Sequence, residues 1–179
     1  MIYIKFLSIG IFITTLAAVS FIYSGLYPVG ADEKHNAFTF WLLENLRNNS
    51  IARAAKNIDV PSLDDPELLL SGGADYNDMC SGCHLKPGQK ESDMSLGLYP
   101  APPNLTLRPQ EHGHEDKSHN DPLINAKQNF WVIKHGIMAS GMAAFGPTHD
   151  DDRIWAMVAF IQNLPELTPE QYQILTARQ

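Results

Sequence analysis

CSGCH, residues 80–84, holds the only two cysteines of the 179-residue chain, with a histidine directly after the second. Three chemistries use such a cluster: a redox dithiol, half of a zinc site, and a covalent anchor for a larger group. A disulfide across two residues closes a very small loop and constrains the unfolded chain little. Structural stapling is therefore a weak role for this pair. The rest of the sequence separates the other readings.

The compartment comes first. Residues 6–27, FLSIGIFITTLAAVSFIYSGLY, carry no charge, and about 20 apolar residues cross a bilayer as a helix. Lys5 precedes the run, and Asp32 and Glu33 follow it, which favours a cytoplasmic N-terminus. Val29-Gly30-Ala31 offers a small-residue cleavage site, but the apolar run exceeds the usual core of a signal peptide. An uncleaved anchor is the preferred expectation and a cleaved signal the other. Either one delivers residues 32–179 to the oxidising side of the membrane. The formal net charge of −7 is a poor match to nucleic acid, whose binding rests on Lys and Arg neutralising phosphates. An acidic chain suits partners with basic faces.

Beyond the apolar segment the signals are helical, with little sign of strands or repeats. Phe38, Trp41, Leu42 and Leu46 recur at helical spacing, as do Ile51 and Ala55, and predict one or two helices across about 37–56. A helix that packs on the following domain is preferred there over a docking surface near the membrane. Asp65-Pro66-Glu67 has the chemistry of a helix start: a cap, proline at the first position and an acid in the first turn. That helix carries Leu69, Gly72, Tyr76 and Cys80 at intervals of three or four and runs into CSGCH. Residues 85–121 read as irregular, and a run of this length usually serves a function. A helix is expected over 125–137, ending near Gly136, followed by the glycine-bearing loop MASGMAAFGP. Thr148 and Asp151 fit a capping-box pattern before DDRIWAMVAFIQNL, whose residues 154–161 are apolar throughout and predict burial on most sides. Thr168-Pro169-Glu170-Gln171 starts a short, peripheral final helix. The fold class is all-α.

In that setting C-x-x-C-H reads as a haem c attachment site. Two thiols on one turn can form thioethers with the two vinyl groups of a haem, and the next residue supplies a proximal imidazole to the iron. Cys80 and Cys83 are the expected anchors of one covalent haem, and His84 the expected iron ligand. A zinc site needs four ligands, and the further candidates, His112, His114 and His119, sit among acids with no third cysteine. A thioredoxin-like dithiol belongs in a βαβ context, which is absent. For the second axial position the downstream candidates are Met138, Met142, His135 and His149. Met142 lies between Gly141 and Ala143, small residues that allow close approach to a flat ring, and is preferred. Met138 follows the helix directly and is expected to point into packing.

With both ends of the site placed, the chain resembles the class I c-type cytochromes, in particular bacterial monohaem forms with an N-terminal anchor. The resemblance covers about residues 66–165. It rests on Gly72-x-x-x-Tyr76-x-x-x-Cys80-x-x-Cys83-His84, Pro102-Pro103-Asn104-Leu105, Gly141-Met142-Ala143-Ala144-Phe145, and a closing helix with Trp155 and Phe160. It implies a cytochrome c domain at 66–165, with residues 1–31 as anchor or signal, 32–65 as a helical linker and 166–179 as a helical tail. It also implies a crossing of the first and last helices, with Gly72 and Tyr76 against Phe160. Met142 matches the distal methionine. Pro102 or Pro103, with Pro103 preferred, is the implied acceptor of the imidazole N–H, which fixes the ring. Trp131 is the candidate for a haem propionate contact, with plain core packing as the other role. The chain departs from the family where Ala143 replaces a frequent proline and where the segment between His84 and Pro102 is long. EHGHEDKSH, 111–119, has no counterpart; a solvated loop is preferred over a weak metal site or partner contact.

The expectation is a single-electron carrier with His84 and Met142 on the iron, performing no bond chemistry of its own. It is expected to be a single-pass protein of a bacterial inner membrane with its haem domain in the periplasm. Its partners are the bilayer and redox donors and acceptors with basic docking faces, within a respiratory chain. Two other readings stay open: a subunit of a larger respiratory complex, and a haem sensor or small enzyme with an open sixth position.

Overall fold

A computed structural model of the chain describes residues 2–108 and 121–177. It divides into two compact units, Met1–Glu33 and Lys34–Gln179. The first unit is the helix α1, Ile2–Ser24, with no buried residue. It is long and apolar enough to cross a membrane. Some of its hydroxyls bond back to the helix: Ser8 Oγ donates to the Ile4 carbonyl and Thr14 Oγ1 to that of Gly10, both at 2.9 Å. Such back-bonding keeps polar groups satisfied where water is absent.

The second unit holds α2 (Ala37–Ala55), α3 (Pro66–Met79), the short turns α4 (Ser81–His84) and α5 (Asp93–Leu96), α6 (Pro122–His135), α7 (Asp151–Asn163) and α8 (Pro169–Thr176). There is no strand among the described residues. The core forms where α7 meets α3 and α6. Ile154 to Ile161 are all buried, so α7 is enclosed on most of its circumference. Burying a side chain such as Phe160 or Ile154 contributes about 1.5–3 kcal/mol each.

Glycine sets the α3–α7 crossing. A Cβ on Gly72 would collide with the backbone of Ala156 and come within 2.8 Å of the Met157 nitrogen. A Cβ on Gly73 would come within 2.8 Å of both the Phe160 ring and the Leu175 carbonyl. The two helices therefore touch backbone to backbone at Gly72, while Gly73 is the one seated beneath Phe160. Four residues after Gly72, the Tyr76 ring lies 5.4 Å from that of Phe160. An ion pair closes the same crossing. Arg153 Nε and Nη2 reach the two carboxylate oxygens of Asp75 at 2.5 and 2.7 Å, and Asp75 is only 6% exposed.

Several details differ from the sequence reading. α7 is capped by Asp150, whose carboxylate accepts from Arg153 N at 2.9 Å, and not by Thr148, whose hydroxyl is turned to the Phe145 carbonyl at 3.2 Å. α6 starts earlier than expected, because Asp121 caps it and Pro122 occupies its first position. α8 is not peripheral: Tyr172 is buried and stands 6.0 Å from Phe160 and 6.4 Å from Tyr76, ring to ring. α2 packs on α6, but Phe38, Trp41, Leu42 and Leu46 are all exposed. Its packed stripe runs from Phe40, which the sequence reading did not name, to Ile51 and the buried Ala55, which it did. The expected irregular stretch contains α5, and the loop 111–119 lies outside the described residues.

Candidate functional site

α3 delivers the C-x-x-C-H segment. Asp65 caps it by accepting from Glu67 N at 2.9 Å, and Pro66 presets the first turn. At its far end the backbone continues as one more turn. Cys80 N donates to Tyr76 O at 2.9 Å, Cys83 N to Cys80 O at 3.1 Å and His84 N to Cys80 O at 2.8 Å. Both thiols and the imidazole thus issue from a single turn. Leu85 ends it with φ of 72°, a conformation strained for a side chain of this size. Leu85 is buried, and its carbonyl accepts from the Tyr76 hydroxyl at 2.8 Å. The same hydroxyl lies 3.2 Å from the His84 carbonyl, which also accepts from Leu105 N at 3.2 Å.

The two thiols are unpaired; Cys80 is buried and Cys83 half-buried. Burial pushes the Cys80 thiol up to about 12, with the Asp75 carboxylate and Cys83 adding to the effect. Reactive and redox cysteines carry lowered values, so the environment of Cys80 is opposite to that of a catalytic dithiol. It suits a sulfur that ends as an apolar thioether. Among the described residues no three His, Cys, Asp or Glu side chains group to hold a bare ion; His112, His114 and His119 lie outside the described residues.

His84 Nδ1 lies 2.8 Å from the Pro103 carbonyl. A carbonyl only accepts, so Nδ1 carries the proton and Nε2 keeps its lone pair. Burial holds the imidazole below its ordinary pKa, and the Pro103 bond partly opposes this. The ring is therefore neutral near pH 7, the form that binds metal. The loop that brings Pro103 here is braced by Asn104, whose Oδ1 accepts from Thr106 N at 3.0 Å and from Thr106 Oγ1 at 2.7 Å.

Met142 sits in a loop folded back on the end of α6. Ile137 N donates to Met142 O at 3.1 Å, Phe145 N to Ile133 O at 3.0 Å and Gly146 N to Lys134 O at 2.9 Å. Gly136, with φ of 67°, makes this possible: a Cβ there would come within 2.7 Å of the Met142 carbonyl. Met142 is half-buried and packs against the cluster that contains Cys80. Met138 is 97% exposed, contrary to the expectation that it packs inward. The methionine and proline loops also meet, since a Cβ on Gly141 would come within 2.7 Å of a Leu98 methyl. Trp131 is half-buried with its ring 5.0 Å from that of His135. Its neighbour Phe130 is the core aromatic, stacked on Trp155 at 4.1 Å.

Sequence reasoning overlooked the Tyr76 hydroxyl, Leu85 and Leu98. Only the tyrosine carries a local signal, a polar tip on a residue placed for packing. The donor set fits haem c: two thiols free of a disulfide and one oriented, neutral imidazole on one turn. No curated protein and no solved structure matches the chain. The family described as cytochrome c oxidase, cbb3-type, subunit III matches over residues 67–161, the stretch that runs from the first turn of α3 through Ile161 of α7. The chain belongs to that family, and its all-helical cytochrome c domain is one that binds haem c covalently for electron transfer.

Proposed function

We propose that the protein is a membrane-tethered carrier of single electrons, with Cys80 and Cys83 as thioether anchors and His84 and Met142 as axial ligands. Haem c supplies the one-electron chemistry, since its iron cycles between two oxidation states. The residues of the chain do the rest. Pro103 orients the His84 ring and raises its basicity. Met142, a soft sulfur donor, would raise the potential and close the iron of the bound group to outside ligands. Trp131 is assigned the propionate contact. α1 serves as the anchor and places the haem domain in the periplasm, facing partners whose basic surfaces match the acidic chain. The observation that carries the reading is the 2.8 Å contact between His84 Nδ1 and the Pro103 carbonyl, which leaves the other ring nitrogen available to a metal.

The test is carbon monoxide binding to the dithionite-reduced protein, read by absorption. Wild type is expected to exclude the gas and Met142→Ala to bind it. A wild type that binds it readily would have an open sixth position, and a sensor or small enzyme would then be the better reading. The family description names an oxidase subunit, which favours membership of a larger respiratory complex as a second reading. Purification in mild detergent as a single monodisperse chain would count against that.

A further inference from the structure

We propose that the outward face of α2 is a lipid contact, lying in the interfacial layer of the bilayer that α1 is read as crossing. The proposal rests on the anchor reading of α1. At 3.6 residues per turn, Phe40, Glu44, Asn48, Ile51 and Ala55 share the stripe of α2 that the protein covers. The opposite stripe begins with Phe38, Trp41, Leu42 and Leu46, which are 68, 57, 47 and 65% exposed. Scattered apolar side chains on a surface need no explanation, but four large ones contiguous on two turns do.

The polar side chain within this patch turns one N–H back onto the helix. Asn45 lies between Trp41, Leu42 and Leu46 on the helix surface, and its side-chain amide donates to the Trp41 carbonyl at 2.8 Å. Further along the same stripe the character changes to Asn49, Arg53 and Lys56, all exposed. The face thus grades from apolar and aromatic to basic within one helix. That is the order met on passing from acyl chains to headgroups, and aromatic side chains favour that boundary. Anionic headgroups would complement Arg53 and Lys56 in a chain that is otherwise acidic.

Chain length makes the contact attainable. Residues 25–36 separate the end of α1 from the start of α2, a span of about 40 Å at full extension. The apolar half of the stripe is the half nearer α1 in sequence. A partner subunit would also cover apolar side chains, but nothing in a protein interface calls for the graded order along the helix.

The test uses the full haem-bearing chain in nanodiscs of phosphatidylcholine with a minority of phosphatidylglycerol. Its native cysteines are occupied as thioethers, so single nitroxide labels can be placed through Leu42→Cys on α2, Ala17→Cys on α1 and Gln173→Cys on α8. Collision with oxygen, which enters lipid, is compared with collision with a water-soluble nickel chelate. The label at 42 is expected to favour oxygen by about threefold or more over the label at 173, with the label at 17 favouring it further. A label at 42 that behaves like the one at 173, while 17 remains in lipid, overturns the proposal and leaves the anchor standing. An aqueous label at 17 removes the anchor reading and this proposal with it. A label at 42 shielded from both reagents shows a protein contact and overturns the lipid assignment.

Discussion

His84 and Met142 are held in place by different means. The His84 side is fastened through side chains, the Tyr76 hydroxyl donating to the His84 and Leu85 carbonyls and the His84 ring itself bonding to the Pro103 carbonyl, with the glycine-tight backbone crossing of α3 and α7 behind them. The Met142 side is fastened almost wholly by main chain, through the hydrogen bonds that return the loop to the end of α6. Side-chain fastening makes a site sensitive to many substitutions. Main-chain fastening makes it tolerant of most, and intolerant wherever a Cβ does not fit. The comparison explains why Ala143 can stand where a proline is frequent: the loop is bonded rather than stiffened by ring constraint.

Substitutions should separate the two sides. Gly72→Val erases the distinction, because its side chain must enter the Ala156 backbone. It is expected to cost more than about 4 kcal/mol and to leave no cooperative thermal transition in the holoprotein. Gly136→Val attacks the Met142 side alone, through positive φ and collision with the Met142 carbonyl, at a cost of about 3 kcal/mol. The reduced variant is expected to bind carbon monoxide while retaining its covalent haem. Tyr76→Phe attacks the His84 side alone. It strands the Leu85 carbonyl and weakens the hold on His84, for about 1–2 kcal/mol, seen as a lower denaturation midpoint with carbon monoxide still excluded. Should Tyr76→Phe instead admit the gas, the two sides are coupled and the comparison fails. Met138→Ala, on an exposed side chain, is expected to change stability by less than about 0.5 kcal/mol and to leave gas exclusion intact.

The parts legible in the sequence are those whose chemistry is local. Asp65-Pro66-Glu67 marks a helix start because capping uses neighbouring atoms, and the apolar run 154–161 marks a buried helix because no polar face interrupts it. The C-x-x-C-H spacing is likewise a property of one turn. What stayed hidden depends on partners distant in sequence. Periodicity in α2 finds a stripe of Phe38, Trp41, Leu42 and Leu46 but not which stripe α6 will cover. Gly72 and Gly73 look alike in sequence, yet one meets backbone and the other a ring. α8 is short and polar, so Tyr172 gives no hint that it closes the core. Asp150 is not singled out as the α7 cap by sequence because Thr148 offers the same chemistry two residues earlier, and only backbone direction chooses between them.

The α3–α7 crossing also sets an order of events during synthesis. Cys80, Cys83 and His84 leave the ribosome well before Phe160, the ring that covers Gly73 and Tyr76. At about 5–20 residues per second, the C-x-x-C-H segment precedes that ring by several seconds. Cys80 is 7% exposed in the folded chain, so a haem anchored there is expected to attach before the core closes, while the turn is still accessible. A chain truncated before Ile154 is therefore expected to acquire haem without folding, which haem staining of the denatured product would check. On this account the close fit at the crossing forms last, and the chain is still open when its cofactor would enter.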